Sequence, residues 1–306
     1  NFEAGAKVAF AKPGAELPGD FQIGGRTIRG VESHGMICSE KELGLGDDAE
    51  GIMVLADDAP VGEPLEKLLS YPDTIFDLAI TTNRPDAMSI WGIARDLAAW
   101  YEAPVRRPQP QPPTTDGSVG MTVEIEDPEG NPRFVARRVD DVEVRPSPLW
   151  MRARLRDAGV RPISNLVDVT NYVMLELGQP LHVFDIARIS GDTLTVRRAK
   201  EGETIVTLDG VERTLASGDI VICDADGPVS LAGTMGGEST EVSAGTTSTL
   251  IEAASCTRPD VTVSAPRRPP ASKGGWTPNS RPWPRPEQLS SSSKQPAESC
   301  ATRFSM

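Results

Sequence analysis

After Ser264 the chain runs out of the residues from which a core is built. Between Ala265 and Met306, Leu289 is the only Leu, Ile or Val, and eight Pro and eight Ser fill the segment, including the run Ser290–Ser293. Such a stretch cannot bury enough apolar surface to offset the entropy of ordering it, so 265–306 is expected to be a disordered tail. The charge changes at the same place. Seven Lys+Arg against two Asp+Glu give the tail +5, while the 306-residue chain carries −13, which leaves −18 for residues 1–264. On composition alone the tail reads as a basic Pro-rich linker or a nucleic-acid-binding arm.

The acidic balance of the foldable part disfavours a protein that coats DNA. Two histidines, His34 and His182, are too few for a histidine-rich metal site. Cys38, Cys223, Cys256 and Cys300 are scattered and form no C-x-x-C pair. That argues against a disulfide framework or zinc knuckle and for a reducing compartment. No apolar run approaches the roughly 20 residues that span a bilayer, and no signal-peptide pattern opens the chain. The first residue is Asn1, so the start is expected to lie upstream.

Three parts precede the tail, and together they predict an α+β multidomain protein. In 1–67, short apolar runs (Lys7–Phe10, Gly51–Leu55) alternate with Pro13-Gly14, Pro18-Gly19 and Gly24-Gly25. That spacing predicts a small β-barrel or sandwich. Its cations are Lys7, Lys12, Arg26, Arg29 and Lys41, and Asp47, Asp48, Asp57 and Asp58 make its far end acidic. A sided distribution of this kind steers a polyanion to one face, or is a merely solvated surface. In 68–105, Asp77–Ile80 is predicted to be a strand. Thr82–Asp86 forms a turn, and Met88, Ile90, Trp91, Ile93, Ala94, Leu97, Ala98 and Tyr101 recur at helical spacing. Residues 106–118 are a Pro-rich linker, stiff and extended. In 119–264, strands are predicted at Met121–Ile125, Phe134–Val139, Val142–Val144, Leu194–Arg197, Thr204–Leu208, Ile220–Cys223, Ser230–Leu231 and Thr249–Glu252. Asp209-Gly210 is a hairpin turn signal. Helices are predicted at Pro148–Ala158, stopped by Gly159, and at Ile163–Leu177, stopped by Gly178-Gln179-Pro180.

Few residues here suit chemistry. His182 follows a Pro turn and precedes Asp185, so it is a proton carrier, an orienting group or a structural histidine bonded to Asp185 or backbone. Thr170 and Asn171 interrupt an otherwise apolar helix. Such residues are poor helix formers unless their side chains find partners, which suggests a pocket wall or a capping network. Gly233–Glu238 is a Gly-rich turn between strands, with bare backbone that a ligand can approach. It lacks the Gly-Lys-Ser/Thr ending of a Walker loop. Glu252 lies inside the apolar run Leu250–Ala254, at a sheet end or facing a pocket, and needs a polar partner if buried. His34 sits in a hairpin loop and is read as exposed.

Taken in order, these blocks resemble the beta subunit of bacterial phenylalanyl-tRNA synthetase. Arg29-Gly30-Val31-Glu32-Ser33-His34-Gly35-Met36-Ile37-Cys38-Ser39-Glu40-Lys41-Glu42-Leu43-Gly44-Leu45 is similar to the family's tRNA-binding insertion, an OB-fold, here without its opening strand. Asp77–Asp86 with Gly92–Asp96 resembles the segment that returns to the family's first domain. Val167–Asp185 and Gly236–Ala254 resemble its B3/B4 editing domain. The resemblance fades after Ala254 and is gone by Ala265. One base earlier, the codons around Trp276-Thr277-Pro278-Asn279 can encode Val-Asp-Pro-Glu, close to a motif of the family. The tail is therefore also expected to be the product of a shifted reading frame.

The resemblance implies an OB-fold-like tRNA-binding domain over 1–67 and an editing domain over 119–264 that hydrolyses Tyr mischarged on tRNA(Phe). It makes Glu252 the receiver of the tyrosine hydroxyl. His182, Asn171 and Thr170 line the pocket by the ester, and Gly236 gives the substrate backbone room. On charge, Lys12, Arg26 and Arg29 are the tRNA-contact candidates. No cofactor or metal is expected in this chain. ATP and Mg2+ belong to the complete synthetase, an α2β2 tetramer whose alpha subunit forms Phe-tRNA. A cytoplasmic location without membrane or DNA partners is implied. A stand-alone tRNA-binding module and an inactive truncation product are the alternatives.

Overall fold

The computed structural model describes residues 2–46, 49, 51–69, 73–113 and 117–255. The expectations for 265–306 and for Asp47 and Asp48 lie outside these residues. Six short strands open the chain: β1 (Phe10–Ala11), β2 (Glu16–Leu17), β3 (Phe21–Gln22), β4 (Arg26–Ile28), β5 (Val31–Ser33) and β6 (Met36–Ile37). They pair as three two-stranded ribbons, β1 with β6, β2 with β3 and β4 with β5. The expected closed barrel is not formed among the described residues. Gly or Pro follows within two residues of the end of β1, β2, β3, β4 and β5, and the ladders stay two or three residues long, too short to wrap around. The β1–β6 and β2–β3 ribbons meet in a small buried cluster, Ala11, Ile23 and Cys38, to which no residue of β4 or β5 belongs.

Two helices follow, α1 (Leu65–Leu68) and α2 (Ile90–Trp100). The Ser89 side chain caps α2 by accepting from the Gly92 N–H at 3.0 Å. The predicted strand Asp77–Ile80 is absent. This segment has no assigned secondary structure, no strand among the described residues pairs with it, and Phe76 and Leu78 are exposed.

The remaining elements build two sheets and a helix pair. In chain order they are β7 (Thr122–Ile125), β8 (Arg133–Asp140), α3 (Leu149–Asp157), α4 (Asn165–Leu177), β9 (His182–Asp185), β10 (Thr193–Arg198), β11 (Thr204–Val206), β12 (Glu212–Thr214), β13 (Ile220–Cys223), β14 (Pro228–Leu231), β15 (Met235–Gly236) and β16 (Ser248–Ser255). One sheet has the order β15-β14-β13-β10-β7, with β10 and β7 parallel and the other pairs antiparallel. The second is the antiparallel sheet β8-β16-β9. β11 and β12 form a hairpin around Asp209-Gly210. Val142–Val144 is not a strand; Val142 only donates to the Thr247 carbonyl.

The core sits where the two sheets meet. Phe184 and Leu250 from one pack with Leu194, Val196, Ile220, Ile222 and Val229 from the other. Alternation sends Val221 and Cys223 to the opposite face of β13, where they join Ile205, Leu215 and Leu231. This explains the unbroken apolar run Ile220–Cys223: the strand is covered on both sides.

α3 and α4 pack on each other, and α4 packs on β9. α4 stops at Gly178, whose φ of +79° is the left-handed conformation that glycine adopts without strain. α3 also grips the ribbon part. The Arg152 guanidinium forms a two-pronged ion pair with Glu40, and Arg156 donates to the Leu45 carbonyl at 2.6 Å.

Candidate functional site

Glu252 lies on the middle strand of the three-stranded sheet. Its register partners are Ala136 on β8 and His182 on β9. It shares a face with Leu250, so its side chain points toward the space between the sheets and is only 6% exposed. Its Oε2 is buried and meets no hydrogen-bond partner among the described residues. Burial pushes its carboxyl up to about 7.

His182 is the cross-strand neighbour. Its ring meets Phe184 edge-on, with centroids 4.5 Å apart and planes at 86°. Its Nε2 is also buried without a partner. Desolvation lowers the imidazole to about 4, which keeps it neutral at neutral pH. The site thus holds an uncompensated carboxyl and an uncompensated neutral imidazole on facing register positions.

Gly236 closes over the imidazole from the edge of the other sheet. A Cβ there would stand 2.2 Å from His182 Cε1 and 2.5 Å from Nε2, so no larger residue fits without moving the ring. The backbone is held in place. Gly236 pairs with Ser230, and its carbonyl accepts from the Leu208 N–H at 3.0 Å. The Gly-rich segment read as a turn is therefore partly strand, and its bare backbone faces a histidine.

Thr170 and Asn171 stand on α4, the helix that covers the strand of His182. Thr170 is buried and its hydroxyl donates to the Val167 carbonyl at 2.7 Å, leaving its oxygen free to accept. Asn171 is half-buried. No bond joins either residue to His182 or Glu252 among the described residues. Lys12, Arg26 and Arg29 are exposed on the ribbon part; Arg26 and Arg29 belong to the β4–β5 hairpin, all of whose residues from 24 to 32 are exposed.

The alternative in which Asp185 holds His182 is overturned. The two residues are three apart on one strand and so face opposite sides. Asp185 accepts instead from the Thr246 hydroxyl at 2.7 Å and the Ala187 N–H at 3.0 Å. Asp168 is a polar residue whose importance the spacing did not signal. It is 1% exposed and accepts from the Ser147 hydroxyl at 2.6 Å and the Ile163 N–H at 2.7 Å, tying the start of α4 to the entry of α3. No group of three or more His, Cys, Asp or Glu with metal-binding geometry occurs among the described residues. No described helix is long and apolar enough to cross a membrane.

Known proteins resemble this chain along most of its length. A B3/4 domain matches residues 130–268. The phenylalanine–tRNA ligase beta subunit of Geobacter sulfurreducens is 48% identical over 259 residues, covering 83% of this chain and 32% of that protein. The beta subunit of Carboxydothermus hydrogenoformans is 48% identical over 257 residues with the same coverage. A solved N-terminal fragment of the phenylalanyl-tRNA synthetase beta subunit from Pyrococcus horikoshii is 18% identical with a TM-score of 0.38, over 62% of this chain and 61% of that one; this likeness is too distant to bear on the argument. The chain spans about a third of the length of the curated relatives it matches. Its B3/4 domain and the near half of its aligned residues shared with those relatives make the chain similar, over most of its own length, to phenylalanine–tRNA ligase beta subunits.

Proposed function

We propose that this chain is the editing and tRNA-binding part of a phenylalanine–tRNA ligase beta subunit, and that it hydrolyses the ester of Tyr mischarged on tRNA(Phe). One observation carries the reading: the orphaned Glu252 carboxyl, buried opposite a neutral His182 whose ring lies against the bare backbone of Gly236. A phenol hydroxyl donates to Glu252 and supplies its missing partner. A phenyl ring leaves the buried carboxyl unpaired. A pocket built to bond a hydroxyl rejects the analogue lacking it far better than an apolar pocket rejects an added hydroxyl. That asymmetry is why such a proofreading site is useful to a synthetase.

Water is the nucleophile. Its oxygen attacks the acyl carbon, the ester C–O bond breaks, and the products are tyrosine and a free ribose hydroxyl on the tRNA. His182 is neutral and able to hold the attacking water or take up its proton. Asn171 and Thr170 lie along the wall by the ester, and the bare backbone of Gly236 lets the His182 ring take its place. In this reading 1–67 is a tRNA-binding module whose Lys12, Arg26 and Arg29 meet the tRNA. ATP-dependent Phe-tRNA formation, with its Mg2+, belongs to a cytoplasmic α2β2 assembly with an alpha subunit.

Deacylation of Tyr-tRNA(Phe) and Phe-tRNA(Phe) by the wild-type chain and by Glu252→Ala tests this. The wild type is expected to prefer the Tyr ester, and Glu252→Ala is expected to lose that preference on the order of a hundredfold or more. RNA binding without ester hydrolysis, or selectivity unmoved by the substitution, would overturn the reading.

A further inference from the structure

We propose that the α3–α4 corner is a stacking platform for single-stranded RNA with Trp150 as its floor, and that its occupant is the unpaired 3′ end of the tRNA. The identity of the occupant rests on the editing reading above.

Trp150, on the first turn of α3, is 47% exposed. Two neighbours hold it still. The Arg154 guanidinium lies 5.2 Å over the indole, and the Tyr172 ring meets it edge-on, with centroids 5.4 Å apart at 89°. Arg154 also donates to the Tyr172 hydroxyl at 2.8 Å, which ties the three side chains together across the two helices. An exposed aromatic fixed in this way loses little rotamer freedom when a base stacks on it. Every base has a π-face, so such a surface accepts a strand without reading its sequence.

Charge decides between a strand of RNA and an apolar partner. From Arg145 to Arg161 there are five Arg (145, 152, 154, 156 and 161) and one acid, Asp157, a net of +4 in a chain that carries −13. Arg152 and Arg156 are engaged with Glu40 and the Leu45 carbonyl. Arg145 and Arg161 are exposed, and their guanidinium groups form no ion pair or hydrogen bond among the described residues. Arg154 lies over the floor itself, and Arg145 and Arg161 carry exposed positive charge on the segments that flank α3; aromatic surface with nearby positive charge is the combination that tracks a phosphate backbone while stacking its bases. Tyr172 directly follows Asn171, on the helix that packs on the strand of His182, so platform and editing seam share one helix.

The test uses the full chain and a fluorescently labelled single-stranded RNA ending in CCA, followed by anisotropy. Trp150→Ala is expected to weaken binding about tenfold, the loss of roughly one stacked base, and Trp150→Phe to restore most of it. With Tyr-tRNA(Phe) as substrate, Trp150→Ala is expected to raise KM by a similar factor and leave kcat in place. If Trp150→Ala loses its cooperative melting transition, the double variant Arg145→Gln/Arg161→Gln decides: weaker binding with a shallower salt dependence is expected. Oligonucleotide affinity indifferent to these changes overturns the platform, as does a loss of self-association at unchanged RNA affinity, which would assign the corner to a second copy of the chain. The two readings fail separately. Tyr-tRNA hydrolysis whose KM ignores Trp150→Ala removes the platform and leaves editing. Trp150-dependent binding by a chain that hydrolyses no Tyr-tRNA removes editing and supports the platform.

Discussion

Two buried acids in this molecule have opposite surroundings. At the α3–α4 corner, Asp168 is 1% exposed, and each of its carboxyl oxygens accepts a short hydrogen bond, from Ser147 and from the Ile163 backbone. At the seam between the sheets, Glu252 is nearly as buried, yet its Oε2 has no partner and its carboxyl is pushed up to about 7. A fully bonded buried acid stabilises the turn it ties. An unbonded one costs stability, because burial without compensation disfavours the charged form. Such a cost is characteristic of a site that awaits a ligand. His182 beside it is orphaned in the same way.

The sharpest way to break the comparison is to remove the bonded acid. Asp168→Ala is expected to lower unfolding stability by roughly 3–5 kcal/mol, since two hydrogen bonds to a carboxylate are lost and the buried Ser147 hydroxyl is left without that partner. Urea unfolding measures it, and a loss under 1 kcal/mol would mean that Asp168 is no staple. Glu252→Gln is expected to do the reverse. The carboxyl rises from 4.5 to about 7 on folding. Its contribution is therefore fully present below about pH 4.5 and is lost as pH rises through 7, a change of about 3 kcal/mol. Melting curves should show the Gln variant ahead of the wild type at pH 8 and level with it below pH 4.5. His182 works in the other direction, since its lowered value removes stability as pH falls from 6.5 toward 4. A gap between the two curves that stays constant with pH would remove burial as its cause. The smallest effect is expected at the lid. Gly236→Ala drives a methyl into the imidazole and should cost roughly 1–3 kcal/mol. It should also displace the His182 ring resonances in NMR spectra, and unmoved resonances would show that the backbone yields instead.

The ribbon part and the two-sheet part also differ in how far they could be read in advance. Near the sheets, strands matched their predicted segments because long apolar runs and Asp209-Gly210 leave few alternatives; β10 and β13 are examples. α3 and α4 fell within a residue or two of their predicted bounds, since Pro148, Gly159 and Gly178 punctuate them. Asp77–Ile80 and Val142–Val144 failed for one reason. Both have strand-like composition, but a strand exists only through its neighbour, and no strand among the described residues pairs with them. The barrel expected over 1–67 failed similarly, with ladders of two or three residues.

The site divides along the same line. The presence of a carboxylate inside Leu250–Ala254, a histidine after Pro180 and a glycine at 236 was plain from residue order, because local chemistry and periodicity are written along the chain. That Glu252 and His182 face each other, that Asp185 turns away, and that Gly236 alone leaves room for the imidazole were settled only when β16 paired with β9 and the edge of the second sheet closed over them. Register and sheet-to-sheet approach arise from contacts between residues distant in sequence, and a linear pattern does not encode which distant partner will be met.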